Sequence, residues 1–283
     1  MIKLVAGNWR ATVVPEVGGS LTALECAGVP VLRPCGEQVD HPLQAGCFPM
    51  VPYCNRIESG RFAFEGAETT IAANLPGQRH PLHGTGWLRA WRVIRHDSSS
   101  VLLEDDYRSG EGDWPWPYRA HQHIALDASG LTIRLITENC AAHAAPMGLG
   151  LHPYFRRRPG ARIAFDAKAM LGIDEAFLPD GTTHTADALA PFSTGAELPP
   201  VLVDNCFTGW AGSASIRDDL GTIVVRGFGA PFVHVFAPPG GSELCLEPVS
   251  HPPDALNRAP GDMTLLPPGA AAGIAMRIEV AST

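Results

Sequence analysis

Four polar clusters in the chain carry residue types that do chemistry, each in a turn-rich segment and the first three with aromatics close by. In Pro52-Tyr53-Cys54-Asn55-Arg56-Ile57, followed by Gly60-Arg61-Phe62, the Arg56 guanidinium offers a planar fork suited to hydroxyls or a carboxylate. A structural ion pair would use the same fork. In His80-Pro81-Leu82-His83-Gly84-Thr85-Gly86-Trp87, His83 stands beside a glycine, where backbone can come close to a ligand, and Trp87 could stack on an apolar ring face. A turn histidine held by its own loop has the same sequence. In Gly150-Leu151-His152-Pro153-Tyr154-Phe155, the proline biases His152 to extended geometry and two aromatics follow. A histidine so held and partly desolvated suits a general acid, as it would a buried, satisfied ring. In Glu243-Leu244-Cys245-Leu246-Glu247-Pro248, the two glutamates are four apart and share one face of a strand. Glu247 ends the apolar alternation at a proline, and partial burial there would raise its basicity.

Other candidates are less pointed. His121 and His123 alternate along a predicted strand and could face one metal, but no third ligand lies nearby, so no metal is expected. Asp204-Asn205 reads as a turn pair or as a carboxylate offered to a ligand. Arg156-Arg157-Arg158 could hold a phosphate or form a solvated loop. The seven cysteines include no CxxC pair, and neither a signal peptide nor a membrane span is read from the sequence. Reduced thiols in a cytoplasmic protein are the expectation.

The elements that must position these residues are strands. Period-two alternation recurs at Ile2–Val5, Trp9–Val14, Arg61–Gly66, Trp91–Ile94, Leu131–Leu135, Thr222–Val225, Val233–Phe236, Glu243–Glu247 and Gly273–Val280. Helical periodicity is nearly absent; Asp187 to Leu198 is broken by Pro191 and Gly195. Without crossover helices a parallel sheet is excluded, which leaves an antiparallel sandwich or barrel. The 30 glycines and 26 prolines are spread along the chain, as many turns require. Pro159 to Pro200 reads as a long loop-rich excursion of one domain covering 1–283. A net charge of −8 without a basic stripe argues against nucleic acid.

In order along the chain, several segments resemble the aldose 1-epimerase (galactose mutarotase-like) family. They are Asn55-Arg56-Ile57 with Gly60 and Phe62, Leu82-His83-Gly84, Asn139, His152-Pro153-Tyr154-Phe155, Asp204-Asn205-Cys206-Phe207, and Glu247 with Pro253-Asp254 and Asn257. The resemblance runs from about residue 5 to about residue 280. It implies an all-β fold, one large antiparallel β-sandwich with an open groove for a sugar. It implies interconversion of the α and β anomers of a free aldose, without cofactor or metal. Glu247 would be the general base and His152 the general acid; Arg56, His83 and Asp204 would bind sugar hydroxyls or steady the pair. A protonated His152 beside an ionised Glu247, favoured by Asp204, is then expected. Gly84-Thr85-Gly86 and Pro248-Val249 depart from the family pattern, which bears on substrate identity more than reaction type. A hexose-6-phosphate 1-epimerase and a non-catalytic sugar-binding protein are the rival readings. The expected partner is a small-molecule aldose, with no nucleic acid or membrane, and the chain a monomer or homodimer.

Overall fold

The computed structural model describes residues 1–36, 38–109 and 114–281. Five strands matter most for function: β1 (Cys47–Met50), β2 (Gly150–Arg156), β3 (Val203–Thr208), β4 (Phe232–Ala237) and β5 (Glu243–Val249). They lie side by side in the order β1-β2-β5-β4-β3, all antiparallel, at the centre of an eleven-stranded sheet. Ile2–Ala6, Trp9–Val14 and Ser20–Cys26 extend that sheet on one side, and Ala169–Ile173 and Pro179–Thr185 on the other. A nine-stranded sheet packs against it, built around Ser100–Tyr107, Tyr118–Asp127, Gly130–Asn139, Gly221–Phe228 and Ala271–Ala281. The fold is the expected antiparallel β-sandwich.

The alternation explains the packing. Tyr118–Asp127 places Tyr118, Ala120, Gln122, Ile124 and Leu126 inward and the residues between them at the surface. In the eleven-stranded sheet, Leu151, Phe155, Val203, Phe207, Val233, Val235, Leu244 and Leu246 all point to the sandwich core. There they meet Ile133, Leu135, Ile223, Val225, Met276 and Ile278 of the opposing sheet. The other face of the same five strands is also buried, under loops, and carries the polar residues. These central strands therefore read as near-continuous buried runs, seven of seven residues in β2.

Two sequence expectations change. Pro159 to Pro200 is not a loop excursion: it supplies Arg162–Phe165 and Ala196–Glu197 to one sheet and Ala169–Ile173 and Pro179–Thr185 to the other. Pro179–Thr185 escaped notice because it is an edge strand with six consecutive exposed residues, so it lacks alternation. Trp87 is fully buried and its indole N–H donates to the Leu82 and Gly84 carbonyls, so it braces the His83 loop and is not available for stacking on a ligand.

Candidate active site

Antiparallel register places the polar residues in two rows. The β2–β5 ladder pairs Gly150 with Val249 and Tyr154 with Cys245, which sets His152 opposite Glu247. Glu247 in turn faces His234 of β4, and His234 faces Cys206 of β3. Phe48 of β1 faces His152. One row therefore runs Phe48, His152, Glu247, His234, Cys206 across five strands. The neighbouring row holds Tyr154, Cys245, Phe236 and Asp204. Residues opposite one another in a ladder point to the same side, so both rows line one face, away from the sandwich core.

Loops close over the rows. Asn55 and His83, each with positive φ, hold one another: the His83 N–H donates to the Asn55 carbonyl at 2.9 Å, and the Asn55 N–H donates to His83 Nδ1 at 3.1 Å. That bond fixes His83 as the tautomer with its proton on Nε2, a donor for the groove. Burial, then the neighbouring His152 and Arg56, push its pKa well below the ordinary histidine value, so it stays neutral. Gly84 is what lets the loop turn. Its φ is +76°, and a Cβ there would lie 2.2 Å from the Val51 carbonyl oxygen, which accepts from the Thr85 and Gly86 N–H groups. Gly84→Ala is therefore expected to cost on the order of 1–3 kcal/mol in denaturant unfolding and to weaken ligand binding through His83.

The groove encloses about 120 Å³ and is lined by His83, His152, Asp204, His234 and Glu247 with Asn55, Arg56, Leu43, Leu82, Tyr154 and Phe236. All five residues singled out by the resemblance thus converge. A larger hollow of about 280 Å³ lies behind the His83 loop, against Asn74, Leu88 and Trp114, away from that convergence.

Charges in the groove are paired. Asp204 Oδ1 lies 2.7 Å from His234 Nε2, and its Oδ2 lies 3.5 Å from Arg56 Nη2. Burial pushes the Asp204 carboxyl up, but the hydrogen bond and charge of His234, with Arg56, outweigh it and hold the group below the ordinary carboxylate value. Arg56 also donates to Asn55 Oδ1 at 3.3 Å, and its guanidinium lies 5.0 Å from the centre of the Phe177 ring. Phe177 belongs to the turn between Ala169–Ile173 and Pro179–Thr185, which makes part of that stretch a wall for Arg56.

His152 Nε2 and Glu247 Oε1 are 3.3 Å apart, with the two side chains 7% and 2% exposed. The imidazole is stacked between Phe48 and Tyr154, with ring centres 4.6 and 4.7 Å away. Burial, then His234 and Arg33, push the His152 pKa down to about 3. Burial, then the Asp204 carboxylate, push Glu247 well above the ordinary carboxylate range, against the pull of Arg56. Both shifts favour the neutral forms, so a proton shared by the pair is favoured on the carboxyl over the imidazole. Burial thus works against the expected imidazolium beside a carboxylate: desolvation penalises both charges, and Asp204, which favours the imidazolium, is engaged by His234.

A profile of the aldose 1-epimerase family matches residues 1–279. The chain belongs to that family. It is 32% identical over 278 residues to the uncharacterized protein YphB of Escherichia coli K12, covering 94% of each chain. It is 25% identical over 211 residues to the uncharacterized protein YihR of the same strain, covering 73% of this chain and 68% of the other. Among solved structures it is similar to a proposed aldose 1-epimerase of Escherichia coli K12, with a TM-score of 0.92, 32% identity and 99% and 98% of the two chains covered. A galactose mutarotase-like protein of Clostridium acetobutylicum superposes with a TM-score of 0.87 at 18% identity, over 99% and 95% of the chains, which bears on the fold alone.

Not every family-like residue reaches the groove. Asn139 Nδ2 donates to the His143 and Leu266 carbonyls, and Asp254 accepts from the Glu58 N–H and from Asn257 and Arg258, so these residues tie loops together. Glu243 is occupied by Arg33 at 3.4 Å. His121 Nε2 lies 3.0 Å from Glu104 on the adjacent strand, an ordinary cross-strand pair. Sequence reasoning missed His234. It lay inside a strand read only for its apolar alternation, and only the register with Glu247 reveals its place.

Proposed function

We propose that the chain is an aldose 1-epimerase acting on a free aldose, with His152 and Glu247 as the acid–base pair. The observation that carries this reading is the opposition of His152 and Glu247 at 3.3 Å in a groove with hydroxyl-binding groups around them. An anomer inverts by ring opening and reclosure on the other face. Opening takes a proton from the anomeric hydroxyl and gives one to the ring oxygen. Both oxygens are bonded to the same carbon, so the two protein groups must be neighbours, as these are.

The shared proton fits this cycle. With sugar bound, transfer of the carboxyl proton to His152 yields a carboxylate facing the anomeric hydroxyl and an imidazolium facing the ring oxygen. Phe48 and Tyr154 offer their ring faces to that imidazolium. Ring opening then returns the pair to neutral imidazole and carboxylic acid, the arrangement that burial favours. Rotation about the C1–C2 bond and the reverse transfers close the ring. The Asp204 carboxylate, the Arg56 fork and the His83 Nε2–H would clamp the remaining hydroxyls.

An unphosphorylated substrate is favoured by the arginines. Arg156 pairs with Asp218 at 3.2 Å, Arg158 donates to Asp219 at 2.8 Å, and Arg157 donates to the Pro238 carbonyl at 3.0 Å. Within the groove, Arg56 is already matched by Asp204. Replacing Arg157 and Arg158 with Ala is expected to leave kcat/KM for free sugars within about twofold; a selective loss with hexose 6-phosphate would instead support the phosphosugar reading. The direct test follows the optical rotation of freshly dissolved α-D-glucose and α-D-galactose. Catalysed relaxation to the anomeric equilibrium is expected. Failure with both, and with hexose 6-phosphate, would leave a sugar-binding protein.

A further inference from the structure

Cys245 lies two residues before Glu247 on β5 and points to the same face, one row over from the His152–Glu247 contact. One donor atom each from His152, Cys245 and Glu247 lies within 4.8 Å of the other two, and all three residues are buried. Nothing in the acid–base cycle uses the thiol, and among the described residues no hydrogen bond engages it. On the remaining side the cluster opens on the groove through His152 and Glu247.

We propose that His152, Cys245 and Glu247 form a binding site for a thiophilic divalent cation of the zinc type, which excludes the sugar by taking the lone pairs that move its protons. An imidazole, a thiolate and a carboxylate are the three ligand types zinc takes, at about 2.0–2.3 Å each, with a fourth tetrahedral position left for water. Donors at those lengths stand about 3.3–3.8 Å apart around one ion, so the side chains need to close by roughly 1 Å. Hard cations such as magnesium seek oxygen ligands in an octahedral shell, which this set does not offer. On coordination the thiol proton and the carboxyl proton leave to the buffer, and no redox change is involved. The site itself rests on donor geometry; its inhibitory effect rests on the acid–base reading above.

The test is a calorimetric titration of Zn²⁺ into the reduced, metal-free full chain in a non-chelating buffer. One ion per chain is expected, with affinity at least tenfold lower in Cys245→Ala and unchanged in Cys140→Ala, whose thiol is exposed. Co²⁺ should give a thiolate-to-metal charge-transfer band in the wild type that Cys245→Ala lacks, a signature a histidine-only surface site would not give. Should Cys245→Ala fold poorly, Cys245→Ser preserves the volume and serves as the second variant. No Zn²⁺ binding in the wild type, or binding and a band that survive loss of the thiol, would overturn the site. Zinc binding through Cys245 that leaves sugar turnover intact would support the site and overturn the acid–base assignment of its partners.

Discussion

Glu247→Gln is expected to lower kcat for anomer interconversion by about 10²–10⁴-fold, the range of one general base, and at the same time to stabilise the fold. The two effects have one cause. The carboxyl is buried, faces the Asp204 carboxylate, and has its pKa pushed well above the ordinary 4.5. Below pH 4.5 the folded and unfolded chains are both protonated there, and the group contributes no pH dependence. As pH rises from 4.5 toward the raised folded value, the unfolded chain gives up the proton and the folded chain keeps it, so stability falls. Glutamine has the shape of the protonated acid and never ionises in the unfolded chain. The variant should therefore melt higher than wild type at pH 8 and equally at pH 4. Thermal melts at the two pH values check the stability arm, and polarimetry checks the rate. A variant that melts lower at pH 8 would mean that the carboxyl is held by favourable contacts and not kept there at a cost, as functional carboxylates are.

Much of this was legible before any coordinates. Alternation without helical periodicity sufficed for an antiparallel sandwich or barrel, because period two is a local property that each strand declares alone, and the family resemblance then implied the sandwich. The strand that declared least, Pro179–Thr185, sits at the sheet edge with little to bury. His152 stood out through its proline and aromatic neighbours and Glu247 through the proline that ends its strand. Arg56, His83 and Asp204 were candidates from their turn-rich segments, and the family-like order of motifs implied their roles. What a linear reading cannot supply is register. His234 becomes a groove residue only because β4 and β5 pair with His234 against Glu247, and a one-residue slip would have turned it into the sandwich core. The same holds for Cys245, which reads as one more apolar residue in Leu244-Cys245-Leu246 until the row beside His152 is drawn. Protonation was likewise out of reach. The motif suggests an ion pair, whereas the depth of burial, with Asp204 already engaged by His234, favours the neutral forms.

His152→Gln is expected to lower kcat by about 10²–10⁴-fold and to change the shape of the pH profile. In the wild type the working form of the pair holds a single proton. Acid removes it by adding a second proton, and the imidazole resists this down to a pKa of about 3. Alkali removes it by taking the only proton, which the raised Glu247 pKa defers to well above the ordinary carboxylate range. The bell should thus be broad, and its limbs belong to the pair and not to either residue. Glutamine at 152 leaves Glu247 alone, so the residual rate should follow a single limb that rises as the carboxyl ionises. Combining His152→Gln with Glu247→Gln should cost little more than either change alone, because each group is useful only while the other can accept or return the proton. Additive losses would assign the two residues to separate steps, and an unaltered bell in His152→Gln would place the acid elsewhere, with His234, the other imidazole facing Glu247, as the group to replace next.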